Sequence, residues 1–528
     1  MITKKELSII IVMIGAFCIA NAQLDIMDID AAQYAQMSFE LLSSKNWLKL
    51  TCLHQNYLDK PPLLFWLSAL SFKIFGIHNW SYKLPSLIFA VLGIFATYRL
   101  GDRLVNRSVG IYSAVILGTS FAFFQLTHDI RTDTMLMGSV IFSAWQLYEF
   151  YLDNKLRNVI YAGIGIALGM MSKGPIGLIV PFCFFFIFTA LYKKKIKLLF
   201  NFKLIWILVV VFIMLLPMCI GLYQQFDWHG INFFFWYQSF GRITGENTWK
   251  NNPDRFFLFH TTLWAFLPWT LLSIYALIRE VKALVTYQSK IAGVSLTFLL
   301  TIFTLSFSKY QLPHYIFVAY PFLAIMCANY AEDFFASKMR YLQGLLMVLA
   351  IICCVIINFY CFPTQHFLLL LIVMGLAVVS FLSTTKITAT AMPISFLLFS
   401  LSVGFQSELL KYQSFNEVGR YLKTKKTAQN QIINFNGKFS FAFYFYSQDY
   451  TLFYTTIEEL LEEKKQTKEL LVYTSEYGYG LIKNSSLNAK TTILQRSEGY
   501  EVTQLRLTFL DPKQRHDVTT RYYLLKIL

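Results

Sequence analysis

Apolar runs close to the ~20 residues that a helix needs to cross a hydrocarbon core recur from Leu7 to about Phe405. They predict about 13 membrane-spanning helices, over residues 7–24, 82–100, 108–126, 134–152, 159–172, 175–192, 203–222, 258–278, 291–308, 314–332, 341–361, 367–383 and 389–405. Lys4/Lys5, Arg99/Arg103/Arg107, Lys155/Arg157, Lys193–Lys197 with Lys203, Arg279/Lys282/Lys290, Lys338/Arg340 and Lys386 fall on alternate connections. Basic residues favour the cytoplasmic side, so these connections are placed inside, with the N-terminus inside and the C-terminus outside. Counting Pro61–Phe75 as a further span would invert every later connection, so it is read as an interfacial or re-entrant helix. Lys4 and Lys5 followed by an apolar run ending in Ala20-Asn21-Ala22 also resemble a secretory signal with its cleavage site. The downstream topology is the same either way.

Three segments are predicted on the outer side: 25–81, 223–257 and 406–528. The first two belong with a membrane domain over 1–405, and the third forms a soluble domain. In that tail Glu458, Glu459, Glu462, Glu463, Lys464 and Lys465 lie on a helix-like stretch, and strand-like runs follow at Leu470–Val472 and Glu501–Leu510. The predicted fold class is an all-α polytopic membrane protein with a small C-terminal α/β soluble domain.

Composition agrees: with 56% hydrophobic and 14% charged residues and mean hydropathy +0.49, a water-soluble globule of 528 residues is excluded. The net charge of +16 sits between apolar runs, which points to a membrane surface and not to nucleic acid. There is no P-loop, no HExxH and no GxSxG, and the eight cysteines form neither a metal-type CxxC nor a disulfide framework.

The charged residues that escape this pattern cluster on the outer side. Asp25, Asp28 and Asp30, with Tyr34, follow the first span; they fit a polar site at the interface or a solvated helix entry. Asp59-Lys60-Pro61-Pro62 opens the interfacial helix, where Lys60 either seats a phosphate beside first-turn amides or snorkels with Asp59 as partner. His128-Asp129-Ile130-Arg131-Thr132-Asp133 puts four ionisable groups at the mouth of apolar helices, which implies a polar cavity or an Arg131–Asp133 salt bridge. The aromatic loop Asn232–Trp249 carries Gln238, Arg242 and Glu246; the last two suit a phosphate or sugar contact or an i,i+4 ion pair. Lys309, ahead of Pro313, His314 and Tyr315, either holds an anionic head group or snorkels.

In order and spacing, Asp30 with Tyr34, Asp59-Lys60-Pro61-Pro62-Leu63 with Trp66, Arg131-Thr132-Asp133, Arg242, Leu267-Pro268-Trp269, and Lys309-x-x-Leu312-Pro313-x-Tyr315 resemble the GT-C-type membrane glycosyltransferases. Within these, the resemblance is to the group of protein O-mannosyltransferases and lipid A 4-amino-4-deoxy-L-arabinose transferases that use polyprenyl-phosphate sugars. It implies transfer, with inversion, from such a donor to a lipid A, protein or glycan acceptor on the periplasmic face of the bacterial inner membrane. Membrane lipids surround the site, and no cofactor is required. The resemblance further implies that Asp30 is a general base or acceptor-positioning group, that Lys60 and Arg242 contact the carrier phosphate, and that Asp133 is a second essential carboxylate. Gln33 stands where the aminoarabinose transferases carry Arg, Asp59 where they carry Glu, and Gln238 or Ser239 where they carry His. These departures leave the sugar and any divalent metal open. Two other classes fit many spans: a lipid-linked-sugar flippase or other transporter, which predicts charges at the bilayer midplane, and a membrane scaffold, which gives no reason for charge clusters to share one face.

Overall fold

The computed structural model describes residues 2–192, 195–238, 241, 251, 254–425, 430–449 and 451–528. The N-terminal portion runs α1 (Lys4–Gln23), α2 (Asp30–Ser43), a two-stranded hairpin of β1 (Thr51–Cys52) and β2 (Gln55–Asn56), and α3 (Leu63–Phe75). It continues with α4 (Asn79–Leu104), α5 (Arg107–Gly118), α6 (Phe121–His128), α7 (Thr132–Asp153), α8 (Leu156–Lys173), α9 (Ile176–Phe186) and α10 (Ile205–Asn232). Among the described residues six helices are long and apolar enough to cross a membrane, or seven if α5 and α6, bent by 55°, make one span. Shorter apolar helices at Leu63–Phe75, Ile176–Ala190, Ala292–Ser306 and Phe367–Ser383 accompany them. The chain is a multi-pass membrane protein.

α7 lies at the centre, packed between α4 and α8. Small residues permit this in a bilayer, where backbone approach replaces water exclusion as the source of packing energy. A Cβ on Gly138 of α7 would lie 2.3 Å from the Phe89 carbonyl oxygen of α4, and one on Gly177 of α9 would lie 2.3 Å from the Gly169 backbone of α8.

Three expectations are corrected. The span predicted over 258–278 is two helices, Phe257–Ala265 and Thr270–Val285, separated at Pro268, which supplies no amide to a helical ladder. The break is used: the Phe121 amide donates to the Leu267 carbonyl (2.8 Å) and the Trp269 indole to Thr119 Oγ1 (3.0 Å). The helix predicted to stop at 222 continues to Asn232 with a break at Asp227 (φ 51°). Its extra turn is satisfied by the outer hairpin, since Gln225 Oε1 accepts from the Leu50 amide (2.9 Å) while Nε2 donates to the Leu50 carbonyl and Asn56 Oδ1 (both 3.0 Å). Finally, Glu501–Leu510 is not a strand. Only Val502 and Phe509 of this stretch are buried, against the ends of membrane helices beside Phe362, Leu409 and Leu410, while Leu505 and Leu507 between them are exposed.

The C-terminal sheet region has five strands: β3 (Asn430–Phe435), β4 (Leu452–Tyr454), β5 (Glu469–Ser475), β6 (Thr491–Gly499) and β7 (Thr520–Ile527), in the order β4-β3-β5-β7-β6. β3 pairs parallel with β4 and β5, and β7 pairs antiparallel with β5 and β6. The expected acidic helix is Ile457–Gln466, opened by a capping box between Thr456 and Glu459.

This region grips the connection between α1 and α2. Gln413 accepts from the Asp28 amide (2.8 Å) and donates to the Ile26 carbonyl (3.0 Å). Arg420 forks onto Asp25 at 2.8 and 3.0 Å, and Tyr446 Oη accepts from the Ile26 amide at 2.9 Å. From the membrane side, buried Lys83 donates to the carbonyls of Asn21 and Leu24 (2.8 and 2.9 Å), which satisfies the C-terminal end of α1.

Asp28 is thereby buried. Burial pushes its carboxyl up to about 6, against the pull of Lys438, Ser440 and the amides of Ala442 and Phe441. An ordinary aspartate ionises near 3.8, so between about 4 and 6 the folded state keeps a proton that the unfolded state has lost. Stability from this group is highest below about pH 4 and falls as pH rises through about 6. Asp28→Asn is expected to raise Tm at neutral pH and to flatten this part of the Tm–pH curve, measured by scanning fluorimetry in detergent. An unchanged slope would assign the pH dependence to another group.

Candidate functional site

Asp30 is the first residue of α2 and Asp133 lies in the first turn of α7, positions where the helix dipole favours a carboxylate. The α6–α7 turn brings Arg131 to Asp30, with which it forms an ion pair, and its Nε donates to Asp129 Oδ2 at 2.7 Å. Asp133 pairs with Lys173, the last residue of α8, and its Oδ2 is 3.8 Å from His314 Nε2. The Arg131–Asp133 salt bridge weighed from the sequence is therefore not formed: Arg131 turns to the first loop and Asp133 to α8.

Lys173 Nζ also stands 3.9 Å from the centre of the Tyr315 ring. Lys60 pairs with Asp59, whose carbonyl accepts from the Gln238 amide. Tyr34 packs edge-on against Phe65 (5.6 Å between ring centres), as does Tyr57 (6.3 Å). Burial first, then the Tyr57 phenol and Asp30 for Tyr34 and the Asp59 carboxylate for Tyr57, hold both phenols well above their ordinary value, so they remain protonated.

Two amphipathic cavities flank these residues. One is a groove of about 1130 Å³ in which Lys60, Lys173, Gln238 and Tyr315 meet the apolar faces of α9 and of the helix Ala292–Ser306. It shares Cys183 and Leu300 with a second apolar groove of about 1090 Å³ lined by Phe182, Phe186 and Phe303. The other cavity, of about 1600 Å³, combines His128, Asp129, Arg131 and His314 with apolar residues of the membrane helices and with Val502 and Leu505 of the C-terminal region. Asp133 stands at the junction, touching the first cavity's Lys173 and the second cavity's His314.

Of the residues expected from sequence, Asp30, Arg131 and Asp133 with Lys60, Asp59, Tyr34 and Tyr315 thus gather around α2, α3 and α7. Asp28 instead packs under the C-terminal region. Arg242 and Glu246 lie outside the described residues, and Lys309 lies in the turn ahead of Pro313, where its carbonyl accepts from the Asn251 amide (3.2 Å). Sequence reasoning missed Lys173. Its signal was present as a lysine interrupting an apolar stretch at Ser172-Lys173-Gly174-Pro175, a costly position unless the charge is paired or used. Among the described residues no three His, Cys, Asp or Glu side chains come together as a ligand set.

Residues 59–220 match the family model described as dolichyl-phosphate-mannose-protein mannosyltransferase. The crystal structure of ArnT from Cupriavidus metallidurans bound to undecaprenyl phosphate superposes with a TM-score of 0.73, at 14% identity, over 98% of this chain and 97% of that one. The chain shares the fold of that structure. Among curated relatives, the undecaprenyl phosphate-alpha-4-amino-4-deoxy-L-arabinose arabinosyl transferase of Serratia proteamaculans is 26% identical over 361 residues, 64% of this chain and 62% of that protein. The transferase of the same name from Wigglesworthia glossinidia brevipalpis is 28% identical over 204 residues, 37% of this chain and 35% of that protein. The chain spans between 35 and 62% of the length of such named transferases. The likeness takes in the helical body and the small C-terminal sheet together, since the superposition covers 98% of this chain.

Proposed function

We propose that this protein transfers a sugar from a polyprenyl-phosphate donor to a lipid acceptor of the lipid A type, on the periplasmic face of the inner membrane. The observation that carries the reading is the meeting of two amphipathic cavities at Asp133. A polyprenyl chain fits the apolar groove beside α9, and its phosphate fits between Lys60 and Lys173. The second cavity offers apolar walls with Asp129, Arg131 and His314 among its lining, which suits another amphipath better than an extended peptide. The named transferases and the solved relative act with or hold undecaprenyl phosphate. The alternation of basic connections supports a cytoplasmic N-terminus and a periplasmic C-terminus.

The donor is already activated by its phosphate. The acceptor oxygen attacks the anomeric carbon while the bond from that carbon to the phosphate oxygen breaks, and the polyprenyl phosphate leaves with the electron pair. Lys60 and Lys173 stabilise the charge that develops there, a contribution that preorganised cations make large in a dry site. Asp30, held by Arg131, takes the proton of a hydroxyl acceptor or orients one that is already ionised. The remaining catalytic effect is alignment of two lipids that diffuse in one plane.

The test is transfer from radiolabelled undecaprenyl-phosphate sugar into the lipid A, protein and polysaccharide fractions of membranes, for wild type and Lys60→Ala. Label is expected in the lipid A fraction, lost in the variant at equal protein level. Labelled donor that accumulates unmodified on the outer face, independent of Lys60, would replace this reading with a flippase. Label in the protein fraction would replace the acceptor class.

A further inference from the structure

The segment Tyr500–Leu510 separates two cavities of opposite character. Val502, Thr503, Leu505 and Leu510 wall the large membrane-level cavity. Tyr500, Glu501, Gln504 and Arg506 line a different cavity of about 830 Å³, shared with Lys438 and Tyr522. The segment is pinned at its base and free at its tip. Tyr500 donates its amide to the Tyr412 carbonyl (2.9 Å) and stacks on Phe509 with ring centres 3.7 Å apart and planes within 7°. Arg515 lies over Phe509 (5.2 Å) and donates to the carbonyls of Phe509 (2.8 Å) and Cys361 (2.5 Å). Between these anchors Leu505 is 44% and Leu507 85% exposed.

We propose that this segment is the acceptor-recognition element: the membrane-level cavity holds the apolar part of the lipid and, beside Arg131 and His314, the reacting end of its head group, while the cavity behind the segment binds the other, anionic end of that saccharide head group. The proposal rests on the reading of the protein as a transferase to a lipid acceptor, and it assigns the C-terminal region a task. Three features select the ligand class. The charged residues that line this cavity are Lys438, Arg506 and Glu501, and the two cations favour phosphate or carboxylate substituents. Tyr500 and Tyr522 supply flat, weakly polar surfaces, and Gln504 and Glu501 supply partners for hydroxyl groups; together these suit a sugar ring better than an acyl chain. The apolar residues on the opposite side of the same segment face the cavity that would hold the chains. The one stretch Tyr500–Leu510 thus contacts both parts of one amphipath, and it does so away from Lys60 and Lys173, which belong to the donor groove.

The experiment uses the full-length protein in nanodiscs, with Arg506→Glu and Leu505→Asp as separate variants. Both positions are exposed, so the fold is expected to survive, and unchanged Tm and unchanged binding of undecaprenyl phosphate check this. Each variant is expected to raise the acceptor KM at least about tenfold, leaving the donor KM unaltered. A phosphorylated glucosamine disaccharide, the head group without chains, is expected to give saturation-transfer signals with wild type and with Leu505→Asp, and none with Arg506→Glu. An unchanged acceptor KM in both variants overturns the proposal, as does binding of the disaccharide that ignores Arg506→Glu. Failure of wild type to transfer from the donor to any lipid would instead sink the underlying transferase reading, which the disaccharide titration does not depend on.

Discussion

Lys173→Ala is expected to remove nearly all sugar transfer, lowering kcat by about 10² to 10³, the usual cost of removing one preorganised charge from a site where anionic charge develops. It is also expected to raise the donor KM, because the ammonium lines the groove proposed for the lipid phosphate. The same substitution strands Asp133, which is 3% exposed. Breaking a buried pair by deleting one partner costs about 3–5 kcal/mol, so the single variant should also melt earlier. The double variant Lys173→Ala/Asp133→Asn separates the two effects: Tm should recover and activity should not. Recovery of transfer together with Tm would reduce Lys173 to a structural counterion.

Asp30→Asn should act differently. Asp30 is 38% exposed and Arg131 retains Asp129 as partner, so the fold and donor binding should be unaffected. If the acceptor reacts through a hydroxyl, loss of the base should lower kcat by about 10² to 10⁴ with the donor KM unchanged. If the acceptor is already ionised, the fall should appear mainly in the acceptor KM, because the group then orients and does not deprotonate. Steady-state kinetics against each substrate in turn distinguish these outcomes. Activity within twofold of wild type would remove Asp30 from the mechanism.

The first-loop half of this site was legible in the sequence because a charge in an apolar chain is conspicuous. Asp30, Asp59, Lys60, Arg131 and Asp133 stand out as local clusters, and their neighbours in sequence already suggest a wet cavity. What the sequence hides is which cluster meets which. Arg131 and Asp133 are two residues apart and looked like partners, yet a helix start places them on different sides. Their true partners lie 101 and 40 residues away. Lys173 was hidden by a different mechanism, since a lone lysine between two apolar helices reads as a span boundary. In the C-terminal region alternation misled: Leu505, Leu507 and Phe509 alternate as a strand does, but only Phe509 of the three is buried, on the ends of membrane helices.

The groove between α9 and Ala292–Ser306 continues into one lined by Phe182, Phe186 and Phe303, which are 56%, 40% and 59% exposed on a face that lipid tails cover. Such an opening admits its ligand sideways, from within the bilayer leaflet. The concentration that governs turnover is then a surface density, the mole fraction of donor among neighbouring lipids. Diluting the donor with inert phospholipid at constant bulk concentration should slow the reaction, whereas diluting whole vesicles with buffer should leave the rate per enzyme unchanged.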